Sequence, residues 1–217
     1  MRPRVLLADD HTLVLEGLRR LLDDECELVG SVDDGRALVE AAERLRPDVI
    51  LADISMPLLN GFEATRIIRT RVPDAKIIFL TMHSDPTYAR EAFRVGASGY
   101  LLKRSAASEL VEAISVVLRG QLYVTPLFPA ELLRPLGKDL RQLASEAGQL
   151  TPRQREVLQL VAEGHTAKEI AALLRISTKT VDFHKGRIMD RLGLRTASEL
   201  TKYAVAHGVT ELLSFLI

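Results

Sequence analysis

Five short apolar runs, separated by longer amphipathic stretches, fill the first 120 residues and limit the folds open to this chain. Each run is rich in Val, Ile or Leu, as expected of strands buried on both faces of a parallel sheet. The runs cover residues 5–8, 28–32, 49–52, 77–80 and 99–102. The stretches between and after them, with apolar residues at helical spacing, cover 13–22, 37–45, 64–71, 87–95 and 107–118. This alternation predicts an α/β fold with a five-stranded, doubly wound parallel sheet.

The pattern breaks up after residue 120. Three prolines and two glycines between 126 and 148 predict a linker over 123–147, with room for a helix at 132–143. We therefore predict a first domain at 1–122 and a second, smaller domain at 148–217.

The second domain has the sequence pattern of a small helical bundle. Thr151, Thr166 and Thr196 each stand three residues before Gln or Glu. With this spacing the two side chains satisfy backbone donors at a helix start. A further helix start lies at Ser177 or Thr178. We predict four short helices and an all-α fold.

The charges are divided unevenly between the two domains, although 29 basic and 29 acidic residues give the chain a formal charge of zero. Residues 1–125 carry 16 basic and 19 acidic side chains, whereas residues 149–217 carry 10 and 7. The segment 175–195 holds six basic and two acidic residues. A basic domain that suits a polyanionic partner therefore follows an acidic one.

Composition narrows the class of protein further. Hydrophobic residues make up 47% of the chain, which is enough for packed cores. Cys26 is the only cysteine, which excludes an internal disulfide framework, and we interpret it as a small half-buried residue. No apolar run approaches the ~18 residues of a membrane span, and the apolar start runs straight into Asp9 and Asp10, unlike a signal peptide. We expect a cytoplasmic protein with no membrane contact.

Polar residues follow four of the predicted strands. The carboxyl ends of parallel strands meet at one edge of a sheet, where ligands bind. Carboxylates suit Mg²⁺, and a lysine with a hydroxyl suits the oxygens of a phosphoryl group. The residues concerned are Asp9, Asp10, Asp53, Thr81 and Lys103. They predict a magnesium and phosphoryl site at this edge.

Each of these residues also has a structural interpretation of its own. Asp9 or Asp10 could cap the helix that begins near residue 12, and Asp53 could belong to a turn. Thr81 alone is a common strand residue, and Lys103 alone is a common surface residue. Their combination at the strand ends favours the site. The nearby His11 and His83 we interpret as loop residues rather than ligands.

Over residues 3–122 the chain resembles the receiver domain of two-component response regulators, a flavodoxin-like fold. The motifs that carry the resemblance are Asp9-Asp10, Asp53-Ile54-Ser55-Met56-Pro57, Asn60-Gly61, Thr81 and Gly99-Tyr100-Leu101-Leu102-Lys103. The resemblance implies that a partner histidine kinase phosphorylates Asp53 in the presence of Mg²⁺.

The same resemblance implies roles for the other residues of this edge. Asp10 would bind Mg²⁺ directly, Asp9 partly through water, and Ser55 through its backbone carbonyl. Thr81 and Lys103 would contact the phosphoryl oxygens. Tyr100 would be the aromatic partner of Thr81 in the switch, although by itself it could be an ordinary half-buried strand residue. Arg104 stands where many receivers have proline.

The helix predicted after Ser177 has two different faces. At 100° per residue, Val181, Ile188 and Leu192 fall together and should face the core. The outward and flanking residues, which we expect to contact DNA bases or phosphates in the major groove, are Lys179, Thr180, Asp182, Phe183, His184, Lys185, Gly186 and Arg187. The alternative is a solvated basic helix with one exposed aromatic ring.

Residues 148–210 resemble the LuxR-type helix-turn-helix. The resemblance rests on 150–158, 167–171, 177–181, His184 and Arg191-Leu192-Gly193. Together the two resemblances indicate the NarL/FixJ class of response regulators. They imply binding to double-stranded DNA as a homodimer, with Leu200, Tyr203 and Ala204 in the dimer seam. By their helical spacing alone, these residues could instead close the small core. Many members have lysine where this chain has Asp182.

We therefore predict a phosphorylation-controlled transcription factor and no enzymatic turnover beyond slow self-dephosphorylation. One alternative is a Mg²⁺-dependent phosphohydrolase, but Ser55 stands where such enzymes have a second acid, two residues after the nucleophile. Another alternative is a scaffold that dimerises without phosphorylation. We also hypothesise that the acidic domain masks the basic one until Asp53 is phosphorylated. The apolar tail 209–217 is expected to pack on a domain or a partner.

Overall fold

The computed structural model describes residues 2–127 and 150–210 of the 217-residue chain. The part at 2–127 contains a parallel sheet with the strand order β2-β1-β3-β4-β5-β6. The strands are β1 (Arg4–Ala8), β2 (Glu27–Val32), β3 (Val49–Ala52), β4 (Lys76–Thr81), β5 (Gly99–Leu102) and β6 (Tyr123–Val124). The α/β prediction is confirmed, because all five predicted strands are present.

The sheet has one strand more than predicted. Tyr123 and Val124 pair with β5, and the Tyr123 and Thr125 amides donate to the Ser98 and Tyr100 carbonyls. The prediction that the linker begins at residue 123 was therefore wrong for 123–125. Two strand residues are too few to produce a hydrophobic pattern of their own.

Helices cover both faces of the sheet, as doubly wound connections require. They are α1 (Thr12–Leu22), α2 (Gly35–Leu45), α3 (Gly61–Arg71), α4 (Pro86–Arg94) and α5 (Ala106–Leu118). Helices α1 and α5 bury their apolar faces, including Leu18 and Leu110, in one hydrophobic core. Helices α2, α3 and α4 bury residues such as Leu38 and Ile68 in the core on the opposite face.

The part at 150–210 is helical. Its elements are α6 (Pro152–Ala162), α7 (Ala167–Leu174), α8 (Thr178–Leu192) and α9 (Ala197–Ala206). Thr151, Thr166 and Thr196 form the three predicted reciprocal caps. Arg175, with φ 52°, turns the chain between α7 and α8. The four helices enclose a third core that includes Leu158, Ile170 and Val181.

Some predictions fall outside the described residues. The helix predicted at 132–143 and residues 211–217 of the apolar tail lie there. Within 2–127 and 150–210, no helix is long and apolar enough to cross a membrane.

Candidate functional site

The predicted polar residues meet at the carboxyl edge of the sheet. The ammonium of Lys103 lies 2.6 Å from Oδ2 of Asp53 and 2.7 Å from Oδ2 of Asp9. Asp9 is 1% exposed and Asp53 is 5% exposed. The lysine is therefore held between two buried carboxylates, and it is not the solvated surface residue that it could have been.

The backbone around β3 fixes the direction of Asp53. Its amide donates to the Ala8 carbonyl at 2.8 Å, and its Oδ1 accepts from the Ile54 amide at 2.6 Å. Gly61 packs against the same turn, where an added β-carbon would lie 2.3 Å from the Asp53 carbonyl oxygen. Only glycine fits at this position without a shift of the backbone.

The carboxylates and the lysine change one another's protonation. Burial raises the pKa of Asp53 above its usual value, although the neighbouring Lys103 opposes the change. Burial alone would lower the pKa of Lys103, but Asp53 and Asp9 together raise it. Burial likewise raises the pKa of Asp10. An additional cation at this edge would therefore relieve an excess of buried negative charge.

The acidic cluster suits a divalent cation. Asp9, Asp10, His11 and Asp53 each offer one ligand atom, and these atoms lie within 4.8 Å of one another. The buried Oδ1 of Asp10 accepts no hydrogen bond, although Nδ1 of His11 lies 2.9 Å away. An orphaned carboxylate oxygen beside two further carboxylates fits the oxygen preference of Mg²⁺.

His11 is closer to this cluster than expected of a simple loop residue. Its ring Nδ1 also lies 3.2 Å from Oδ1 of Asp9, and its backbone amide donates to the same oxygen at 3.0 Å. Neither Asp9 nor Asp10 caps α1, since His11 occupies the cap position with no side-chain cap. The carboxylates are therefore available at the site.

Thr81 in β4 and Tyr100 in β5 lie on neighbouring strands, where Tyr100 pairs with Phe79 and Thr81 with Leu102, and both are fully buried. The Tyr100 hydroxyl donates to the His83 carbonyl at 2.8 Å, and the His83 amide donates to Oγ1 of Thr81 at 3.3 Å. Tyr100 is thus fully buried, not half-buried, and its ring lies in the core of the receiver. Burial raises the pKa of its hydroxyl.

His83 connects this region to the loop after Asp53. Its Nε2 lies 3.0 Å from the Ser55 hydroxyl, and its ring stacks on Tyr88 at a centroid distance of 4.0 Å. The sequence gives no sign of this connection, because only the fold brings residues 55 and 83 together.

Helix α8 presents the two faces that the sequence predicts. Val181 and Ile188 are buried in the helical core, and Leu192 packs partly against it. Lys179, Asp182, Gly186 and Arg187 are exposed, and Phe183 is 58% exposed. Thr180, His184 and Lys185 are half-buried.

The exposed aromatic ring of α8 has a defined neighbour. The Arg187 guanidinium lies 5.5 Å from the centre of the Phe183 ring, a cation–π distance. This pair combines a positive charge with an apolar surface on the exposed face of α8. The arrangement suits phosphates and thymine methyl groups.

Two of the three predicted dimer residues have another role in this structure. Leu200 is 1% exposed and Ala204 is not exposed, because both close the core of the helical part. Only Tyr203 keeps an exposed fraction, and its ring stacks on His207. A dimer seam on α9 would need its outer residues instead.

The two parts of the chain are joined by polar contacts that the sequence analysis did not predict. Gln159 of α6 hydrogen-bonds with Met56 and Asn60, and Arg155 pairs with Glu63 at 2.5 Å. These contacts belong to α6, whereas the outward face of α8 stays exposed. Charge patterning alone had suggested that the acidic part covers the basic helix.

The chain matches known families over both parts. Residues 5–115 match the response regulator receiver domain, and residues 148–204 match the bacterial regulatory proteins of the luxR family. The transcriptional regulatory protein DegU of Brevibacillus brevis is 37% identical over 221 residues, which cover 94% of each chain.

Solved structures agree with these matches. RcsB of Salmonella enterica serovar Typhimurium, bound to promoter P1flhDC with the phosphomimetic BeF3⁻, is 29% identical with a TM-score of 0.61 over 95% of this chain and 100% of that one. A structure of two RcsB dimers bound to two parallel DNAs is 29% identical with a TM-score of 0.55, covering 95% and 99%. This chain belongs to the DNA-binding response regulators of the NarL/FixJ class, in which a receiver domain precedes a LuxR-type domain.

Proposed function

We propose that Asp53 accepts a phosphoryl group from a partner histidine kinase and that this modification controls the binding of a homodimer to double-stranded DNA. The observation that carries the proposal is the pairing of buried Asp53 with Lys103 at 2.6 Å, beside the carboxylates of Asp9 and Asp10. This arrangement provides a nucleophile, a fixed positive charge and ligands for a cation at one edge.

In the proposed transfer, a carboxylate oxygen of Asp53 attacks phosphorus. The phosphorus–nitrogen bond of a phosphohistidine breaks as a phosphorus–oxygen bond forms, and the electron pair and a proton remain with the histidine. Lys103 stabilises the charge on the phosphoryl oxygens after turning from the carboxylates toward them. Since phosphoryl transfer needs little covalent help, positioning and charge account for most of its catalysis.

Asp9, Asp10 and Asp53 would hold Mg²⁺, with the Ser55 backbone carbonyl as a further ligand. The bound cation supplies charge neutralisation between the carboxylates and the incoming phosphoryl group. The orphaned oxygen of Asp10 supports its place in this ligand set. The carboxylates of the chain would orient the incoming phosphoryl group.

Thr81 and Tyr100 would transmit the modification. The Thr81 hydroxyl turns toward the phosphoryl oxygens, and Tyr100 keeps the space behind it filled. The hydroxyl of Tyr100 on the His83 carbonyl supports this pairing, because it ties the ring to the loop that follows Thr81. The negative charge added at Asp53 thereby moves Thr81 and the loop that follows it.

In the LuxR-type domain, α8 would enter the major groove. Phe183 and Asp182 would contact base edges, and Lys179 and Arg187 would contact bases or backbone phosphates. The RcsB structures on DNA support this use of the domain. A dimer would bind two half-sites spaced by about one helical turn or a multiple of it.

The test of the phosphorylation site is labelling with a small phosphodonor and Mg²⁺, followed by mass spectrometry. Wild type should gain one phosphoryl group on Asp53, and Asp53→Asn should gain none. Asp74→Asn is the matched control, because Asp74 is exposed in the turn between α3 and β4. Equal labelling of Asp53→Asn and wild type would refute the assignment.

The same preparation separates the alternatives. A single acyl phosphate that decays slowly is expected of this proposal, whereas sustained turnover of a phosphomonoester would indicate a phosphohydrolase. DNA affinity that does not change on phosphorylation would indicate a scaffold.

A further inference from the structure

The loop from Ile54 to Asn60 follows the phosphoacceptor and is held by the DNA-binding domain. Leu58 has φ 64°, a left-handed conformation that a leucine rarely adopts. Such a conformation persists only where surrounding contacts fix it. Within the receiver, Met56 and Leu59 pack in the core and the Gly35 amide donates to the Pro57 carbonyl at 3.4 Å; α6 adds further contacts to the same loop.

Gln159 of α6 spans this loop with one side chain. Its Nε2 donates to the Met56 carbonyl at 2.9 Å, and its Oε1 accepts from the Asn60 amide at 2.8 Å. Gln159 is not exposed to solvent, and Met56 and Asn60 are 3% and 4% exposed. Both polar ends of the glutamine are thus satisfied by the backbone of the other domain.

Two further contacts hold the tip between these points. The Leu58 side chain packs against the helical core, and its amide donates to Oε2 of Glu163 at 3.4 Å. Glu163 in turn accepts from Nε2 of Gln159 at 2.7 Å. Alternate backbone groups at 56, 58 and 60 therefore all contact α6 or Glu163, the residue that ends it.

The near end of the loop belongs to the phosphorylation site. The loop starts at the Ile54 amide, which donates to the Asp53 carboxylate, and returns through the Gly61 amide to the Ile54 carbonyl at 2.8 Å. Ser55, whose carbonyl is the proposed metal ligand, lies next to Met56. Contacts at 56–60 and ligands at 53–55 thus share one short, closed segment.

We propose that Gln159 is a positioning residue for the phosphorylation of Asp53: docked α6 holds the 54–60 loop in the form that accepts Mg²⁺ and the phosphoryl group. The inference rests on the proposed role of Asp53 and adds a residue of the DNA-binding domain to that reaction. Because coupling between the binding free energies of two sites is reciprocal, Mg²⁺ bound beside Asp53 would hold α6 more tightly.

The position of α8 agrees with this direction of coupling. Docking through α6 leaves Phe183 58% exposed, and Tyr100 is buried in the core of the receiver. In the docked form, the DNA-binding face of α8 is therefore exposed while the ring of Tyr100 is buried. The docked form does not act as a mask of α8.

The experiment compares the full-length chain with two variants. Gln159→Ala removes the two hydrogen bonds to the loop and the one to Glu163. Gln159→Glu keeps the size but places a carboxylate against the Met56 carbonyl and Glu163. Gln121→Ala is the matched control, because Gln121 is exposed at the end of α5, far along the chain from the loop. Circular dichroism establishes that each variant is folded.

Two quantities are measured: the phosphorylation rate with a small phosphodonor, and Mg²⁺ binding by calorimetry without donor. We expect both Gln159 variants to bind Mg²⁺ about fivefold more weakly or worse, at the lower end of typical coupling between sites, and to be phosphorylated more slowly. Gln121→Ala should match wild type in both.

The outcomes separate the two proposals. Wild type that is not labelled at Asp53 would overturn the proposed function and this inference with it. Labelled wild type with Gln159 variants that bind Mg²⁺ and react equally well, or faster, would overturn the inference alone. A reduced rate with unchanged Mg²⁺ binding would also contradict it, since the loop would then not position the ligand.

Discussion

Removal of the Lys103 ammonium should destabilise the receiver domain in a way that depends on pH. Lys103 contacts Asp9 and Asp53 at 2.7 and 2.6 Å, and its side chain is 11% exposed. In Lys103→Met, two buried carboxylates face each other without a cation. Breaking one side of a buried ion pair costs about 3–5 kcal/mol, and protonation of one carboxyl relieves part of this cost. We therefore expect a loss of about 3 kcal/mol at pH 7.

The sign of the pH dependence follows from the raised pKa of Asp53, which burial causes and the loss of Lys103 would increase. A carboxyl with a raised pKa in the folded state favours folding below its unfolded pKa, and this contribution is lost as the pH rises through the folded value. The deficit of Lys103→Met should thus shrink toward acidic pH. Mg²⁺ at pH 7 should restore part of the stability.

The assay is urea unfolding of the full-length chain, followed by circular dichroism at pH 7 and pH 5, with and without Mg²⁺. Lys76→Met is the matched control, because Lys76 begins β4 at the opposite edge of the sheet. Equal stability of Lys103→Met and wild type at pH 7 without Mg²⁺ would refute the reasoning. A deficit that is the same at both pH values would refute its electrostatic basis.

Three further predictions concern other parts of the molecule. Gly61→Ala should unfold at lower urea and be phosphorylated more slowly, because its β-carbon would lie 2.3 Å from the Asp53 carbonyl oxygen; labelling and urea unfolding test this. Phe183→Ala should weaken DNA binding by about 1–3 kcal/mol with an unchanged melting temperature, since the ring is exposed; equal affinity in a fluorescence anisotropy titration would contradict it. Burial raises the pKa of the Glu163 carboxyl above its usual 4.5, so docking favours the protonated carboxyl. The docking of the helical part on the receiver should therefore weaken as the pH rises through the raised pKa. Limited proteolysis across this pH range should cleave wild type faster as the pH rises, and Glu163→Gln should show no such change.

The sequence was most informative where the pattern is local. Strands such as Val49–Ala52 are continuous apolar runs, and Thr151, Thr166 and Thr196 cap their helices as their spacing predicts. The burial of Val181 and Ile188 likewise follows from helical spacing. In each case the signal lies within a few residues, so the fold adds little to it.

Features that depend on distant residues were missed or misjudged. Strand β6 exists because β5 offers it an edge, and two residues carry no period of their own. Leu200 and Ala204 face the core, as their helical spacing favoured, whereas the dimer seam rested on the resemblance to LuxR-type domains alone. The Gln159 contacts join positions about 100 residues apart, and glutamine at a helical position gives no signal of such a partner.

The candidate site lies between these cases. The rule that parallel strands end at a common edge was enough to bring Asp9, Asp53 and Lys103 together. It did not show that Lys103 bridges both carboxylates, nor that Tyr100 lies fully inside with its hydroxyl on the His83 carbonyl. Side-chain geometry of this kind follows from packing in three dimensions.

The most direct test of the central claim is the affinity of the full-length chain for its operator, first identified by selection from random DNA, with and without a phosphodonor and Mg²⁺. We predict that phosphodonor raises the affinity of wild type by about tenfold, within the usual range of coupling between sites, and leaves Asp53→Asn unchanged. An equal rise in both proteins, or no rise in wild type that is fully labelled at Asp53, would contradict the claim that this aspartate controls DNA binding.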